Sequence, residues 1–223
     1  MVDQNDSFIR EVNEELRSDQ FKNAWSRYGR VLLVFAALIV LGTAAYRGYE
    51  YWRSQSASES GDRFLAALKL ADDGKPDEAI AALKALEADG HGAYPVLARM
   101  RIATAEAEKG EAQGAIDAFA AIGGDATVPQ VLRDVARMRA AWLLIDNGTY
   151  EQVSAQVEVM ATPASQMRHS AREALGLAAF KAGEMVRARD WFTQIVEDNE
   201  APRNVANRAQ IMLDNIAATG KAP

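Results

Sequence analysis

The chain has 223 residues, and His91 and His169 supply its only imidazoles; it has no cysteine. Thiol chemistry and thiolate metal sites are therefore excluded. His91 lies between Gly90 and Gly92 and reads as a solvated loop histidine. His169, between Arg168 and Ser170 on the first helix of the last of four repeats, could line their concave face but reads as a surface or capping residue. Neither belongs to an H-E-x-x-H pair, and there is no phosphate-binding glycine loop and no nucleophile elbow. Gly110 to Gly114 marks a turn between helices. The acid pairs Asp72-Asp73 and Glu197-Asp198 fall at helix ends, where solvation explains them better than acid–base work. Trp142, Trp191, Met100 and Met138 fall at helix-packing spacing and are expected in the core. The expectation is a chain without catalytic residues, cofactor, metal or small-molecule substrate, and hence not an enzyme.

One spacing is less ordinary. Arg63, Arg99, Arg137 and Arg172 each stand eleven residues before a glycine: Gly74, Gly110, Gly148 and Gly183. Such a row can be a partner-binding surface that engages a carboxylate-rich segment. It can equally be structural, with the stems covering apolar neighbours and the heads pairing with acids such as Asp62, Asp134 or Glu173. The structural use is the one expected to dominate.

The four glycines organise everything that positions these arginines. Residues 74–86, 110–122, 148–160 and 183–195 align at them, with glycine spacings of 36, 38 and 35 residues. In each, apolar residues recur at offsets 5, 9 and 12: Ala79, Leu83, Leu86; Ala115, Phe119, Ile122; Val153, Val157, Met160; Ala188, Phe192, Ile195. Steps of four and three put each trio on one helical face. Each glycine also closes a preceding helix, where a left-handed C-cap lets the chain reverse. The units read as helix, glycine turn, helix, with Pro95, Pro129, Pro163 and Pro202 in the loops between. The period is similar to the tetratricopeptide repeat of about 34 residues, and Leu175-Gly176, Ala179, Gly183, Ala188 and Phe192 come nearest its usual pattern. Pro202 leads a last helix to about Ala217, with Ala206, Ala209, Leu213 and Ile216 toward the array and Asn204, Asn207, Arg208 and Asp214 toward water. Stacked helix pairs leave a surface made mostly by the first helix of each pair, suited to a peptide rather than to small-molecule chemistry.

Ahead of the repeats, residues 31–46 form a run of sixteen uncharged residues between Arg30 and Arg47. Trp25 and Tyr28 precede it, and Tyr46, Tyr49, Tyr51 and Trp52 end it. Sixteen residues reach roughly 24 Å, and the aromatic collars with snorkelling arginines extend this past a hydrocarbon core of about 30 Å. One membrane-spanning helix is predicted, rather than a cleaved signal or a core helix, with the lipid bilayer as partner of residues 31–46. Arg17, Lys22, Arg27 and Arg30 precede the span, against Arg47, Arg53 and Arg63 after it, which favours a cytoplasmic N-terminus. The net charge of −6 and the absence of a concentrated basic stretch argue against nucleic acid.

The organisation is then a cytoplasmic head (1–24), a transmembrane helix with collars (25–53), a serine-rich joint (54–61) and a repeat domain (62–223). A short docking helix in the head would place Phe8, Ile9, Val12 and Leu16 on one face. The fold class is all-α: one N-terminal transmembrane helix, then a tetratricopeptide-like α-solenoid of about four helix pairs plus a capping helix. With its Tyr49-Glu50-Tyr51-Trp52-Arg53 collar, this layout resembles the YfgM-type ancillary subunits of the bacterial Sec translocon. The resemblance implies a single-pass inner-membrane protein with its repeat domain in the periplasm. It also implies the SecYEG channel and periplasmic chaperones as partners, and it carries no catalytic residues. A second reading of the same layout is a membrane-anchored organiser of an envelope or cell-division complex.

Overall fold

The structure, a computed structural model, describes residues 3–220, with side chains from residue 25 onward. The apolar face expected of Phe8, Ile9, Val12 and Leu16 lies outside the described side chains. The elements are α1 (Asp3–Asp72), α2 (Pro76–Asp89), α3 (Tyr94–Glu108), α4 (Ala112–Gly124), α5 (Gln130–Asn147), α6 (Tyr150–Val157) with a 3-10 turn (Glu158–Met160), α7 (Arg168–Lys181), α8 (Met185–Val196) and α9 (Arg203–Ala218). No strand occurs among the described residues, so the fold is all-α. The chain divides between Gln55 and Ser56 into two compact units. The serine-rich stretch 54–61 is helical and belongs to α1.

In the first unit, residues 31–46 are all exposed among the described residues, including the large apolar side chains from Val31 to Leu41. An apolar band of this size, exposed on its own unit, calls for an apolar surrounding. The one helix long and apolar enough to cross a membrane among the described residues lies here, within 25–72. Within the stretch the Thr43 hydroxyl donates to the Ile39 carbonyl at 2.7 Å, so this polar group is satisfied inside the helix.

The second unit is built of antiparallel helix pairs. The part of α1 from Ser56 packs on α2 through Phe64, Ala67, Leu83 and Leu86, α3 pairs with α4, α5 with α6 and α7 with α8, and α9 packs on α8 and α7. All twelve residues at the repeat offsets 5, 9 and 12 are buried. They face the first helices of their own and the next pair, so each pair completes its neighbour's core. Helices α7 and α8 approach closely at Gly176, where a β-carbon would come within 2.8 Å of the Phe192 ring.

Three of the four repeat turns are the predicted left-handed caps. Gly74, Gly110 and Gly183 have φ of 78°, 87° and 79°. In each, the amide after the glycine donates back to the carbonyl four residues before it: Lys75 to Leu70, Glu111 to Glu106 and Glu184 to Ala179, each at 2.9 Å. That is a Schellman turn. Gly148 departs from the expectation. Its φ is −134° with extended ψ, and α5 runs up to the residue before it. The reason is Thr149, which caps α6 through a reciprocal pair with Gln152 and so starts the next helix at once. Glycine is needed there for space instead: a β-carbon would lie 2.7 Å from both Leu144 Cδ2 and Gln152 Oε1.

Two further expectations are corrected. Pro95 lies in the first turn of α3, where its missing N–H costs nothing, while Pro129 and Pro202 sit at helix N-caps. On α9, Val205 joins Ala209 and Ile216 as fully covered positions, while Ala206 and Leu213 are half-buried. Arg208 faces water as expected, its side chain 53 % exposed, and also pairs with the buried Glu173.

Candidate functional site

The arginine row is explained by the geometry of a helix pair. Because the two helices run antiparallel, the start of the first lies beside the end of the second, at the end opposite the glycine turn. Arg63 reaches Asp89 at 2.7 Å, Arg99 reaches Asp125 at 3.1 Å and Glu87 at 3.9 Å, and Arg172 reaches Asp198 at 3.3 Å. Each cation thus meets the carboxyl end of the second helix, where the helix dipole also favours it. The partners are not Asp62, Asp134 and Glu173, which share or adjoin the arginines' own helices. They are aspartates 26 residues downstream in each case. The third unit has Pro163 at that place. Arg137 turns instead to the Gly123 carbonyl at 2.9 Å, in the preceding pair. It fits because a β-carbon on Gly123 would stand 2.5 Å from Arg137 Cγ.

In the fourth unit the pair has grown into a cluster. Asp198 accepts from Arg168 Nε at 2.9 Å, from Arg172 Nη1 at 3.3 Å and from the Glu200 amide at 3.0 Å, and His169 Nε2 lies 2.9 Å from the same carboxylate. The Arg168 hydrogen bond first, then the Glu200 amide, holds the Asp198 carboxyl far below the usual carboxylate range. Arg172 also donates to the carbonyls of Ala161 and Gln194, each at 3.1 Å. His169 is therefore buried, not a surface residue, because the α8–α9 connection folds back over α7. Asp198, read as a solvated helix-end acid, is the hub of this cluster. Every group in it is engaged in holding α7 to that connection. His91 is an exposed loop residue whose amide donates to Ser60 Oγ. No group of three His, Cys, Asp or Glu side chains among the described residues could hold a metal.

Open surface with a distinct chemistry lies elsewhere, on the face carried by first helices. Trp142 of α5, Glu173 and Leu177 of α7, and Arg208, Ile211 and Met212 of α9 line a groove of about 450 Å³ with an apolar floor. Trp142 is 38 % exposed and Ile211 59 % exposed. Trp142 was expected in the core; it stands at the groove's edge because α7 and α9 leave its outer side uncovered. Trp191, by contrast, packs as expected, its indole N–H on Tyr150 Oη at 3.1 Å. Met138 is core, and Met100, half-buried, packs against a separate cluster that includes Phe119, Ile122 and Ala136. Glu173 underlies the groove and is held by two Arg208 nitrogens, at 2.6 and 2.8 Å. This bidentate pair ties α7 to α9 and fixes one wall.

Two other hollows are less open to a partner. One beside the Gly148 turn, about 310 Å³, includes Lys181, whose ammonium is spent on the Ile145 and Asp146 carbonyls at 2.7 and 2.6 Å. Another, about 340 Å³ between the first two pairs, has its cation Lys109 paired with Asp77 at 2.9 Å. Of the groove residues, Leu177 and Ile211 were not singled out from the sequence, and Trp142, Glu173 and Arg208 were read in other roles. A signal was present: Ile211 is a large apolar residue off the Val205–Ala209–Ile216 stripe of α9.

Comparison with curated proteins gives no match. A family model does match, and it covers residues 22–218, taking in the apolar helix and all four helix pairs. A helical repeat of this kind is typically a protein-binding scaffold rather than a catalyst. On that match, and on the four stacked pairs with their glycine turns, the chain belongs to the tetratricopeptide repeat-like domain family.

Proposed function

We propose that the protein is a membrane-anchored, non-enzymatic adaptor that holds a protein partner on the first-helix face of its repeats. The observation that carries this reading is the apolar groove between α5, α7 and α9, in which Trp142 and Ile211 stand exposed among the described residues. Exposed Trp and Ile at such a place are what protein interfaces use as anchors. The exposed apolar band of residues 31–46 supports a single membrane span. The bias of basic residues supports a cytoplasmic N-terminus and a periplasmic repeat domain. The layout and the Tyr49–Arg53 collar support service at the Sec translocon, with the SecYEG channel and periplasmic chaperones as partners. The alternative reading is an organiser of an envelope or division complex. The arginine row is read as structural, since Arg63, Arg99 and Arg172 are engaged with aspartates of their own pairs.

Copurification of the intact protein in mild detergent tests the adaptor reading. Tethering raises the local concentration of a weak contact toward the mM range. Association should therefore fall when residues 31–46 are replaced by an unrelated span, and nearly vanish for a released periplasmic body. Capture of the channel by the free body as strong as by the whole chain would refute the tethering. Capture of a cell-wall or division protein, and not the channel, would put the organiser reading in its place. For topology, Ser58→Cys should react with an impermeant maleimide in intact cells and Ser7→Cys only after lysis; the reverse pattern overturns the orientation.

A further inference from the structure

Asn147 is the only asparagine in the chain that is followed by glycine. In such a pair the backbone nitrogen of the glycine can attack the amide carbon of the asparagine side chain, because no β-carbon shields that nitrogen. Asn147 is exposed, so water and hydroxide reach it. The folded chain keeps the two reacting groups apart. Asn147 is the last residue of α5, and its Nδ2 donates to the Leu143 carbonyl at 2.8 Å, one turn back toward the helix start. The Gly148 amide donates to the Leu144 carbonyl at 2.7 Å. Nucleophile and target are thus both engaged with the preceding turn. That turn is itself held from outside. Lys181, at the end of α7, donates to the Ile145 and Asp146 carbonyls at 2.7 and 2.6 Å. These are carbonyls that a helix end leaves without an intrahelical partner, and the helix dipole favours a cation beside them.

Two aspartates, Asp73 and Asp89, also precede a glycine. They are paired with Lys69 and Arg63, and an ionised carboxylate is a far poorer electrophile than an amide. Asn147 is therefore the reactive member of the three.

We propose that Asn147–Gly148 is a site of spontaneous deamidation, and that Lys181 of the next helix pair holds it unreactive. When the last turn of α5 opens, the Gly148 nitrogen gives its proton to solvent and bonds to Asn147 Cγ. The Cγ–Nδ2 bond breaks, and the leaving nitrogen takes up a proton and departs as ammonia. Water then opens the cyclic imide at either carbonyl, leaving aspartate or isoaspartate. The product acts on the fold in two ways. A carboxylate at residue 147 stands beside Asp146 at the negative end of the α5 dipole. Isoaspartate also lengthens the backbone by one methylene at a turn with no spare room, since a β-carbon on Gly148 would already lie 2.7 Å from Leu144 Cδ2 and Gln152 Oε1. The site converts a passing separation of the third and fourth pairs into a lasting one. The proposal goes beyond the adaptor reading and does not depend on it.

The test is warm incubation of the full-length protein in detergent at mildly alkaline pH, read by mass-spectrometric peptide mapping and by enzymatic labelling of isoaspartate. In the chain unfolded by guanidinium chloride, Asn147 should convert faster than any other asparagine. In the folded chain its conversion should be slower by about tenfold or more. Lys181→Met should raise the folded rate by about threefold or more and leave the unfolded rate unchanged. Arg172→Met, which removes contacts near the start of α7, should raise the rate less although it lowers the melting temperature more, because the opening that matters is local. Hydrogen exchange at the Gly148 amide of the unaltered chain measures the same opening without a substitution, and carries the test if Lys181→Met melts early. Its protection should equal the ratio of unfolded to folded conversion rates, since both reactions draw on one open state. Faster conversion of another asparagine in the unfolded chain, equal folded and unfolded rates at Asn147, a Lys181→Met rate equal to the parent's, or a Gly148 protection that departs from the rate ratio would each overturn the proposal.

Discussion

Replacing each row arginine by methionine separates what four equivalent positions contribute. Methionine keeps the apolar stem and removes the guanidinium. At Arg63 the side chain is 44 % exposed and its partner Asp89 67 % exposed. An ion pair so placed contributes roughly 0–1 kcal/mol. At Arg172 the side chain is 8 % exposed and donates to two carbonyls besides its carboxylate. Ala161 is buried, so its carbonyl loses its charged donor with no water to replace it, while Gln194 is an exposed residue whose carbonyl water can reach. A buried acceptor left unpaired costs about 1–3 kcal/mol, and adding a smaller amount for Gln194 gives about 3 kcal/mol for the two carbonyls. For a domain of this size that is roughly 6–12 °C of melting temperature, against under about 4 °C for Arg63→Met. Arg99→Met and Arg137→Met should fall between. The assay is thermal melting of the full-length protein in detergent, followed by circular dichroism at constant heating rate. Four equal shifts, or a larger one for Arg63 than for Arg172, would refute the argument that burial decides the strength of this contact.

Acid should loosen the fourth unit first. The Asp198 carboxyl is depressed in the folded chain, so its contribution is complete above the ordinary aspartate range and is lost as pH falls through that range toward its folded value. Melting temperature should therefore be flat near neutrality and drop below about pH 4, and Asp198→Asn should lower the neutral value and flatten the acid slope. An unchanged slope would show that the cluster does not carry the acid sensitivity. Truncation before Pro202 removes Val205, Ala209 and Ile216 from their cluster with Phe192 and Ile195; aggregation or a large fall in melting temperature is expected, and a soluble, equally stable product would contradict the capping role. Gly176→Ala should destabilise by about 1–3 kcal/mol through overpacking against Phe192, with Phe192→Leu in the same chain restoring part of it; a neutral Gly176→Ala in the same melts would refute the close contact.

Much of this fold was legible without coordinates, because the deciding physics is local. A glycine that must turn the chain back, followed by apolar residues at offsets 5, 9 and 12, needs only helix geometry to be read as a hairpin with one buried face. Gly74, Gly110 and Gly183 behave so. A run of sixteen uncharged residues between arginines and aromatics announces its need for an apolar surrounding by length alone. What the sequence left undetermined was every contact set by the antiparallel return of one helix along another. The regular spacing of the arginines was visible, but their partners were not, since Asp89, Asp125 and Asp198 are near only once the pair has closed. His169 and Trp142 exchanged their expected places for the same reason: the α8–α9 connection covers the histidine, and the fit of α7 and α9 leaves the indole bare. Helical period fixes which residues share a face, but only tertiary packing decides which of those faces another element covers and which one stays open as the groove.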